Sequence, residues 1–164
     1  MNNIKLKQAA AALIAALASF STITSCQSQT FTINNQGTTG HGFKTTKGTI
    51  TAMHVGGIPF NYTFPQMDIG IDTTSKNQSG FVVSDSPPCY FIDRRGTRHA
   101  LAKVGNYGLQ TTLSIRFFPG ESGMPIFARD GSVCGVVLGN VFHERQWIGR
   151  MSRITPVIES SMKD

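Results

Sequence analysis

The sequence is poor in charged residues, in glutamate and in long apolar runs. Only 15% of its 164 residues are charged, and glutamate occurs at just three positions, Glu121, Glu144 and Glu159. Too little charge is present for a disordered, self-repelling chain, and helix formers are scarce. The one extended apolar run, residues 9–20, is shorter than the roughly 20 residues that a permanent transmembrane helix needs. These shortages exclude a disordered chain and disfavour a helical or membrane-spanning one.

Turn formers and apolar residues are abundant instead. The chain has 17 Gly and 7 Pro beside many Thr, Ser and Asn, and 40% of its residues are hydrophobic. This composition predicts a globular, all-β protein of one domain, or of one domain made from two small halves. The net charge of +6 falls to 13 − 9 = +4 without Lys5 and Lys7, which is too modest a surplus to require a nucleic-acid partner.

Residues 1–25 predict an export signal. Three stretches follow in the order typical of a secretory signal peptide: a basic stretch (1–8), an apolar run (9–20) and small polar residues (21–25). The sequence ITSC then resembles a bacterial lipobox, so we expect Cys26 to be lipidated and to anchor the body to a membrane facing the periplasm or cell exterior. Ordinary cleavage, giving a soluble secreted protein, is the alternative. Cys89 and Cys134 then remain, either as one disulfide or as two buried free thiols.

The rest of the chain consists of short β runs between turn formers, the spacing of a barrel or sandwich. The one predicted helix covers residues 156–162, and the proline-bearing stretch 85–89 is a predicted linker. We therefore expect an N-terminal β-barrel over residues 30–84 and a C-terminal β-barrel with the terminal helix over residues 90–164. The predicted strands are 30–33, 42–45, 49–52, 60–64, 69–71, 81–84, 90–93, 98–104, 112–117, 125–128, 133–138 and 146–151.

A glycine-flanked serine in PGESGMPIF, residues 119–127, is the strongest chemical signal. Gly120 and Gly123 permit a tight turn, so the amides of Gly120 and Ser122 can converge on a point beside the Ser122 hydroxyl. A developing oxyanion would lie at that point. The segment continues into an apolar strand rather than a helix, which disfavours an α/β-hydrolase elbow.

A serine nucleophile needs a base with a pKa near neutrality, and histidine is the usual one. His54 follows a β run and the small Ala52, whereas His41, His99 and His143 lie in loops or beside a turn and are interpreted as solvated surface residues. A carboxylate should orient that histidine. Asp68 opens an apolar run and is the preferred candidate. Asp72, at the far end of the same run, is the competitor and is more typical of a turn residue.

The order His54, Asp68, Ser122 matches the His…Asp…Ser order of chymotrypsin-like proteases. TAMHV resembles the T-A-x-H block of that family, MDIGI its D-I-A-L block, and PGESGMPIF its G-D-S-G-x-P block. GHGF, GSVCGVVLG and WIGRMSRI resemble three further strands, and the blocks together span residues 40–157. The sequence is thus similar to the chymotrypsin/trypsin-like serine proteases, in a compact bacterial or viral form.

The resemblance implies an all-β fold of two packed six-stranded antiparallel β-barrels with a short C-terminal helix. It also implies peptide-bond hydrolysis through an acyl-enzyme in the cleft between the barrels. In this assignment Ser122 is the nucleophile, His54 the general base and Asp68 its orienter, while the amides of Gly120 and Ser122 form the oxyanion hole. No metal or organic cofactor is implied.

The resemblance further assigns substrate-binding positions. Leu138, Gly139 and Asn140 would align an extended substrate as an added strand. Arg116, six residues before the nucleophile, would lie at the base of the specificity pocket, where a buried guanidinium would favour acidic side chains.

The expected partner is a peptide or protein substrate of a monomeric enzyme. The basic turn with Arg94, Arg95 and Arg98 carries too few charges to predict nucleic-acid binding. The alternative function is a catalytically inactive lipoprotein that uses a protease fold for binding. Retention of all three triad residue types and of the oxyanion glycine favours the enzyme.

Overall fold

The computed structural model describes residues 29–162, and its first half forms one antiparallel sheet. The strands are β1 (Thr30–Asn35), β2 (Thr38–Thr45), β3 (Gly48–Ala52), β4 (Tyr62–Phe64) and β5 (Ile69–Asp72), in the order β1-β2-β3-β5-β4. Gln36 and Gly37 join β1 to β2 with φ of 49° and 83°, the positive angles of a tight hairpin turn. A 3-10 turn, Pro65–Met67, leads into β5.

The second half forms a seven-stranded antiparallel sheet. Its strands are β6 (Tyr90–Ile92), β7 (Arg98–Ala100), β8 (Lys103–Tyr107), β9 (Gln110–Leu113), β10 (Pro125–Phe127), β11 (Val133–His143) and β12 (Gln146–Arg153), in the order β7-β6-β10-β11-β12-β9-β8. Helix α1 (Pro156–Ser161) ends the described chain, with the Thr155 hydroxyl accepting from the Ile158 amide as an N-cap. Within residues 29–162 no helix has the length and hydrophobicity needed to cross a membrane.

The predicted fold class, all-β with two antiparallel units and a short terminal helix, is confirmed. The strands divide five and seven rather than six and six. Residues 81–84 do not form a full strand, because they make only two isolated bridges, Thr45 with Phe81 and Val83 with Val133. Residues 98–104, predicted as one strand, divide into β7 and β8.

One predicted strand is longer in the structure than in the sequence analysis, and two other predictions are not tested by it. Strand β11 continues past its predicted end at residue 138, to His143, because residues 139–143 pair with β12. The predicted barrel and linker boundaries stay predictions. The export signal and Cys26 lie outside the described residues.

The two sheets share one hydrophobic core, with Phe127 among its central residues. The Phe127 ring lies 5.3 Å from the Phe81 ring, edge-on, and 5.1 Å from the Tyr90 ring, stacked. A second cluster fills the interior of the seven-stranded sheet around Phe91, Phe117 and Met151. The shared cluster draws on β1, β2, β3, β5, β10, β11 and α1, through residues that include Ile33, Phe43, Ile50, Ile69, Val136, Leu138 and Ile158.

Because the core is shared, we expect the two sheets to unfold together. Phe127→Ala should lower the free energy of unfolding by about 3–5 kcal/mol, and Phe127→Leu by clearly less. Chemical denaturation followed by tryptophan fluorescence and by far-ultraviolet circular dichroism should give one coincident transition in both variants. Two separate transitions would contradict the shared core.

Candidate active site

Strand register brings His54 and Asp68 together. Strand β3 pairs with β5 so that Ala52 lies opposite Ile69, and the Met53 amide donates to the Asp68 carbonyl at 2.8 Å. His54 follows directly, and its backbone amide donates to Asp68 Oδ1 at 2.9 Å. The ring nitrogen Nδ1 of His54 is hydrogen-bonded to Asp68 Oδ2. Two contacts therefore fix the imidazole against one carboxylate, and Nε2 is left for proton exchange.

The backbone at Asp68 is unusual. Its φ of 54° is left-handed, which is costly for a residue with a side chain and which often marks a functional position. The Asp68 side chain is 16% exposed while the His54 side chain is 42% exposed, so the pair presents its imidazole to solvent. The competitor Asp72 instead accepts from the amide and hydroxyl of Thr74, at 3.0 and 2.6 Å, as a turn residue does.

The Ser122 loop is docked between the two sheets. The Gly123 amide donates to the Val137 carbonyl of β11 at 2.7 Å, and the His41 amide of β2 donates to the Ser122 carbonyl at 2.8 Å. Gly123 has φ of 89°, and a Cβ atom there would lie 1.8 Å from the His41 carbonyl oxygen. Only glycine fits at that position, because both the backbone angle and the space exclude a side chain.

The loop and the segment after His54 meet at Gly40. A Cβ atom on Gly40 would lie 2.6 Å from the Val55 side chain and 3.1 Å from the Ser122 carbonyl oxygen. Val55, which follows His54, and the Ser122 carbonyl therefore both lie against Gly40 of β2. The Ser122 hydroxyl donates to the Leu138 carbonyl at 3.1 Å, and no hydrogen bond joins Ser122 to His54 in the described chain.

Two backbone amides beside the serine have no acceptor. Within residues 29–162 the amides of Gly120 and Ser122 donate to no protein atom. The Glu121 carboxylate, which is buried, accepts from the Phe118 amide at 2.6 Å and so closes the turn on itself. This arrangement can stabilise a negative oxygen next to the hydroxyl.

His41 fixes the orientation of that loop, and its interpretation as a solvated surface residue was wrong. Only 8% of the residue is exposed, and its ring Nδ1 donates to the Gly120 carbonyl at 2.8 Å. Thr51 in turn donates to the His41 carbonyl at 2.6 Å. Burial lowers the pKa of His41; the Gly120 hydrogen bond partly offsets this effect, and the nearby Arg94 guanidinium adds to it. The contact is long-range, so the local sequence gave no sign of it.

The wall beside Ser122 is formed by β11. Leu138 lies where the β11–β12 register shifts, and such a bulge can re-aim a carbonyl. A Cβ atom on Gly139 would lie 3.9 Å from Ser122 Oγ. The Asn140 side chain exchanges two hydrogen bonds of 2.8 Å with the Phe117 backbone, which ties β11 to the segment before the serine. Beyond Val137 the β10 side of β11 has no strand within the described residues, so that edge is available for pairing.

The expectation of a buried guanidinium at Arg116 was wrong. Arg116 is exposed, and its guanidinium lies 5.9 Å from the centre of the Trp147 ring. Strand β9 ends at Leu113, and in the irregular segment that follows Ile115 and Phe117 pack against the second cluster. Alternation then directs Arg116 outward.

Both cysteines in the described chain are free thiols, so the disulfide alternative is not realised. Burial raises the pKa of Cys134 to about 12, which makes that thiol unreactive. Of the other histidines, His143 is exposed, and His99 is half-buried and hydrogen-bonded to Asp93 at 2.8 Å. In residues 29–162 no three His, Cys, Asp or Glu side chains are grouped as metal ligands would be.

Comparison with known proteins identifies the fold. No model of a protein family matches the sequence, and the search of curated proteins found no match. Among solved structures, a serine protease of a human pathogenic astrovirus superposes with a TM-score of 0.58 at 20% identity, over 79% of this chain and 91% of that one. The fold is that of the chymotrypsin-like proteases. Two further structures support this assignment.

Tobacco etch virus protease, solved with product, has a TM-score of 0.58 at 12% identity, over 87% of this chain and 80% of that one. The Rv3671c protease of M. tuberculosis, in an inactive form, has a TM-score of 0.54 at 16% identity, over 85% and 89% of the two chains. These identities are low, so the likeness concerns the protease fold.

The buried His41 makes stability dependent on pH. Its pKa is lower in the folded chain than the ordinary 6.5, so below about pH 6.5 the unfolded chain binds more protons and stability falls as the pH decreases. His41→Asn keeps a donor for the Gly120 carbonyl but does not titrate. Between about pH 7.5 and about 5.5, the wild type should lose more in melting temperature than this variant. Parallel losses would contradict the role of His41.

Proposed function

We propose that the protein is a serine endopeptidase in which Ser122 attacks, His54 carries the proton and Asp68 orients the histidine. One observation carries the proposal: a histidine bonded twice to a carboxylate lies at the junction where a rigid serine loop presents two unpartnered amides. Each group has the chemistry its role needs, because histidine exchanges protons near neutral pH and amides stabilise an oxyanion.

In the proposed mechanism, the Ser122 hydroxyl leaves the Leu138 carbonyl and turns to His54 Nε2. The oxygen then attacks the substrate carbonyl carbon while its proton passes to Nε2, and the amides of Gly120 and Ser122 hold the oxyanion. Collapse breaks the C–N bond, with the Nε2 proton going to the leaving amine. Water then repeats the sequence on the acyl-enzyme, which frees Ser122. Asp68 stabilises the imidazolium in both halves.

The proposed substrate is an extended peptide that pairs with β11. The unpaired edge at Gly139 and Asn140 offers backbone groups next to Ser122, and an added strand would bring a scissile carbonyl past the hydroxyl. Backbone pairing of this kind reads main chain rather than side chains. It is compatible with a range of sequences on the acyl side.

A catalytically inactive binding protein is the second candidate, and one contact favours it. The Ser122 hydroxyl is hydrogen-bonded to Leu138 and not to the imidazole. In the absence of substrate, however, catalytic hydrogen bonds are often long or misaligned. The unpartnered amide pair and the double His54–Asp68 contact favour the enzyme.

A fluorophosphonate probe tests the proposal directly. The wild type should be labelled covalently, Ser122→Ala should not, and Ser79→Ala, which removes an exposed serine elsewhere, should be labelled as the wild type is. Peptide hydrolysis should fall about 10⁶-fold in Ser122→Ala and about 10⁴-fold in Asp68→Asn. Equal labelling of the wild type and Ser122→Ala would contradict the nucleophile.

We also propose that the chain is exported and lipidated at Cys26. The proposal rests on the signal-like residues 1–25 and the lipobox-like ITSC. Intact-mass analysis of membrane-extracted protein should show a chain starting at an acylated Cys26. Cys26→Ala should shift the protein to the soluble fraction or leave the signal uncleaved. An unmodified chain that begins at Met1 would refute both export and lipidation.

A further inference from the structure

The basic turn between β6 and β7 is rigid. Asp93 Oδ1 accepts from the Arg95 amide at 2.8 Å and from the Thr97 amide at 3.0 Å. Asp93 Oδ2 accepts from His99 Nε2 at 2.8 Å, and the Gly96 amide donates to the Asp93 carbonyl at 3.0 Å. One carboxylate therefore ties both ends of the turn. The turn needs no outside contact to hold its shape.

This rigid turn places Arg94 next to Gly120 of the Ser122 loop. The Arg94 Nη1 atom lies 3.7 Å from the position that a Cβ atom on Gly120 would occupy. The Thr39 methyl group and carbonyl oxygen both lie 3.9 Å from the same position. Hairpins from the two sheets, β1–β2 and β6–β7, thus flank the open side of Gly120.

Arg94 has no acidic partner among residues 29–162. In the described chain no carboxylate forms an ion pair with Arg94, since Asp93 is engaged by His99 and Glu121 is buried against the Phe118 amide. Arg98 on the same turn is different, because its guanidinium lies 3.8 Å from the centre of the Tyr90 ring. Arg94 is exposed and keeps its charge and its donors for a ligand.

The position of Arg94 relative to Ser122 defines which part of a substrate it would meet. Leu138 and Gly139 of β11 approach the Ser122 hydroxyl and would carry the acyl half of a bound peptide. A peptide passes the nucleophile once, so its leaving half must continue on the other side. On that side Gly120 faces Thr39 and Arg94.

We propose that Arg94 binds a carboxylate in the leaving half of the substrate, within the first three residues after the scissile bond. This inference rests on the proposed peptidase function. The planar guanidinium suits bidentate pairing with a carboxylate, and Gly120 lacks a side chain that would block the approach. Two sources supply that chemistry: an Asp or Glu side chain, or the free terminal carboxylate of a short peptide.

The test uses the exported body of the protein and a synthetic peptide library with randomised residues on both sides of the cut, with products read by mass spectrometry. The wild type should enrich Asp and Glu in the first three positions after the cut. In matched peptides that differ only by Glu or Gln there, kcat/KM should differ by up to about fivefold at low salt and less at high salt. Peptides that end there as a free acid or as an amide separate the two sources.

Arg94→Gln should abolish the preference, so that the Glu and Gln peptides are cleaved with equal kcat/KM, while Arg94→Lys should retain part of it. Arg95→Gln is the matched control on the same turn and should keep the preference. If the wild type cleaves without enrichment, or Arg94→Gln keeps the enrichment, the role of Arg94 is overturned and the peptidase stands. If the wild type cleaves nothing, both proposals are overturned. Thermal melts should show that the exposed Arg94 variants fold as the wild type does.

Discussion

The site depends on how the Ser122 loop is anchored against β2. Three backbone contacts hold that loop: the His41 amide to the Ser122 carbonyl, the His41 ring to the Gly120 carbonyl, and the Gly123 amide to the Val137 carbonyl. The first two come from the five-stranded sheet and the third from the seven-stranded one. The loop is thus one place where hydrogen bonds join the two sheets, in addition to the shared core. A shift of either sheet would move the hydroxyl and its amides together.

This anchoring explains why the amides of Gly120 and Ser122 can remain without acceptors in the described chain. An unpaired amide is costly when it is buried, and a flexible loop would turn to satisfy it. The Ser122 amide shares its peptide plane with the Glu121 carbonyl, and that carbonyl accepts from the Met124 amide at 3.1 Å. The carbonyls of Gly120 and Ser122, on the neighbouring planes, are bonded to His41. The rigidity of the loop therefore comes from its own turn and from β2 and is in place before any substrate arrives, which is the condition for effective stabilisation of a transition state.

The sequence predicts the local parts of this arrangement better than the distant ones. Strand alternation and turn residues predict most strands, and the contact between His54 and Asp68, which the sequence analysis expected, is present. The role of His41 depends on a contact 79 residues away, and nothing in its neighbours signals it. The outward turn of Arg116 depends on where β9 ends, and a single residue of register reverses such a direction. The late part of β11, residues 139–143, is partly or fully exposed, and its pairing with β12 continues the strand.

A histidine paired with an aspartate is not sufficient to make a catalytic site, and this chain contains two such pairs. His99 donates Nε2 to Asp93 and stacks on the Phe91 ring, with centroids 6.2 Å apart, so its ring is fixed as part of a turn. His54 uses Nδ1 for its aspartate, and its Nε2 forms no hydrogen bond within residues 29–162. The same pair of residue types therefore occurs in two settings: at β7 it stiffens the turn that carries Arg94, and beyond β3 it holds the proposed base. The two pairs differ in the ring nitrogen that is bonded to the carboxylate: Nδ1 in His54 and Nε2 in His99.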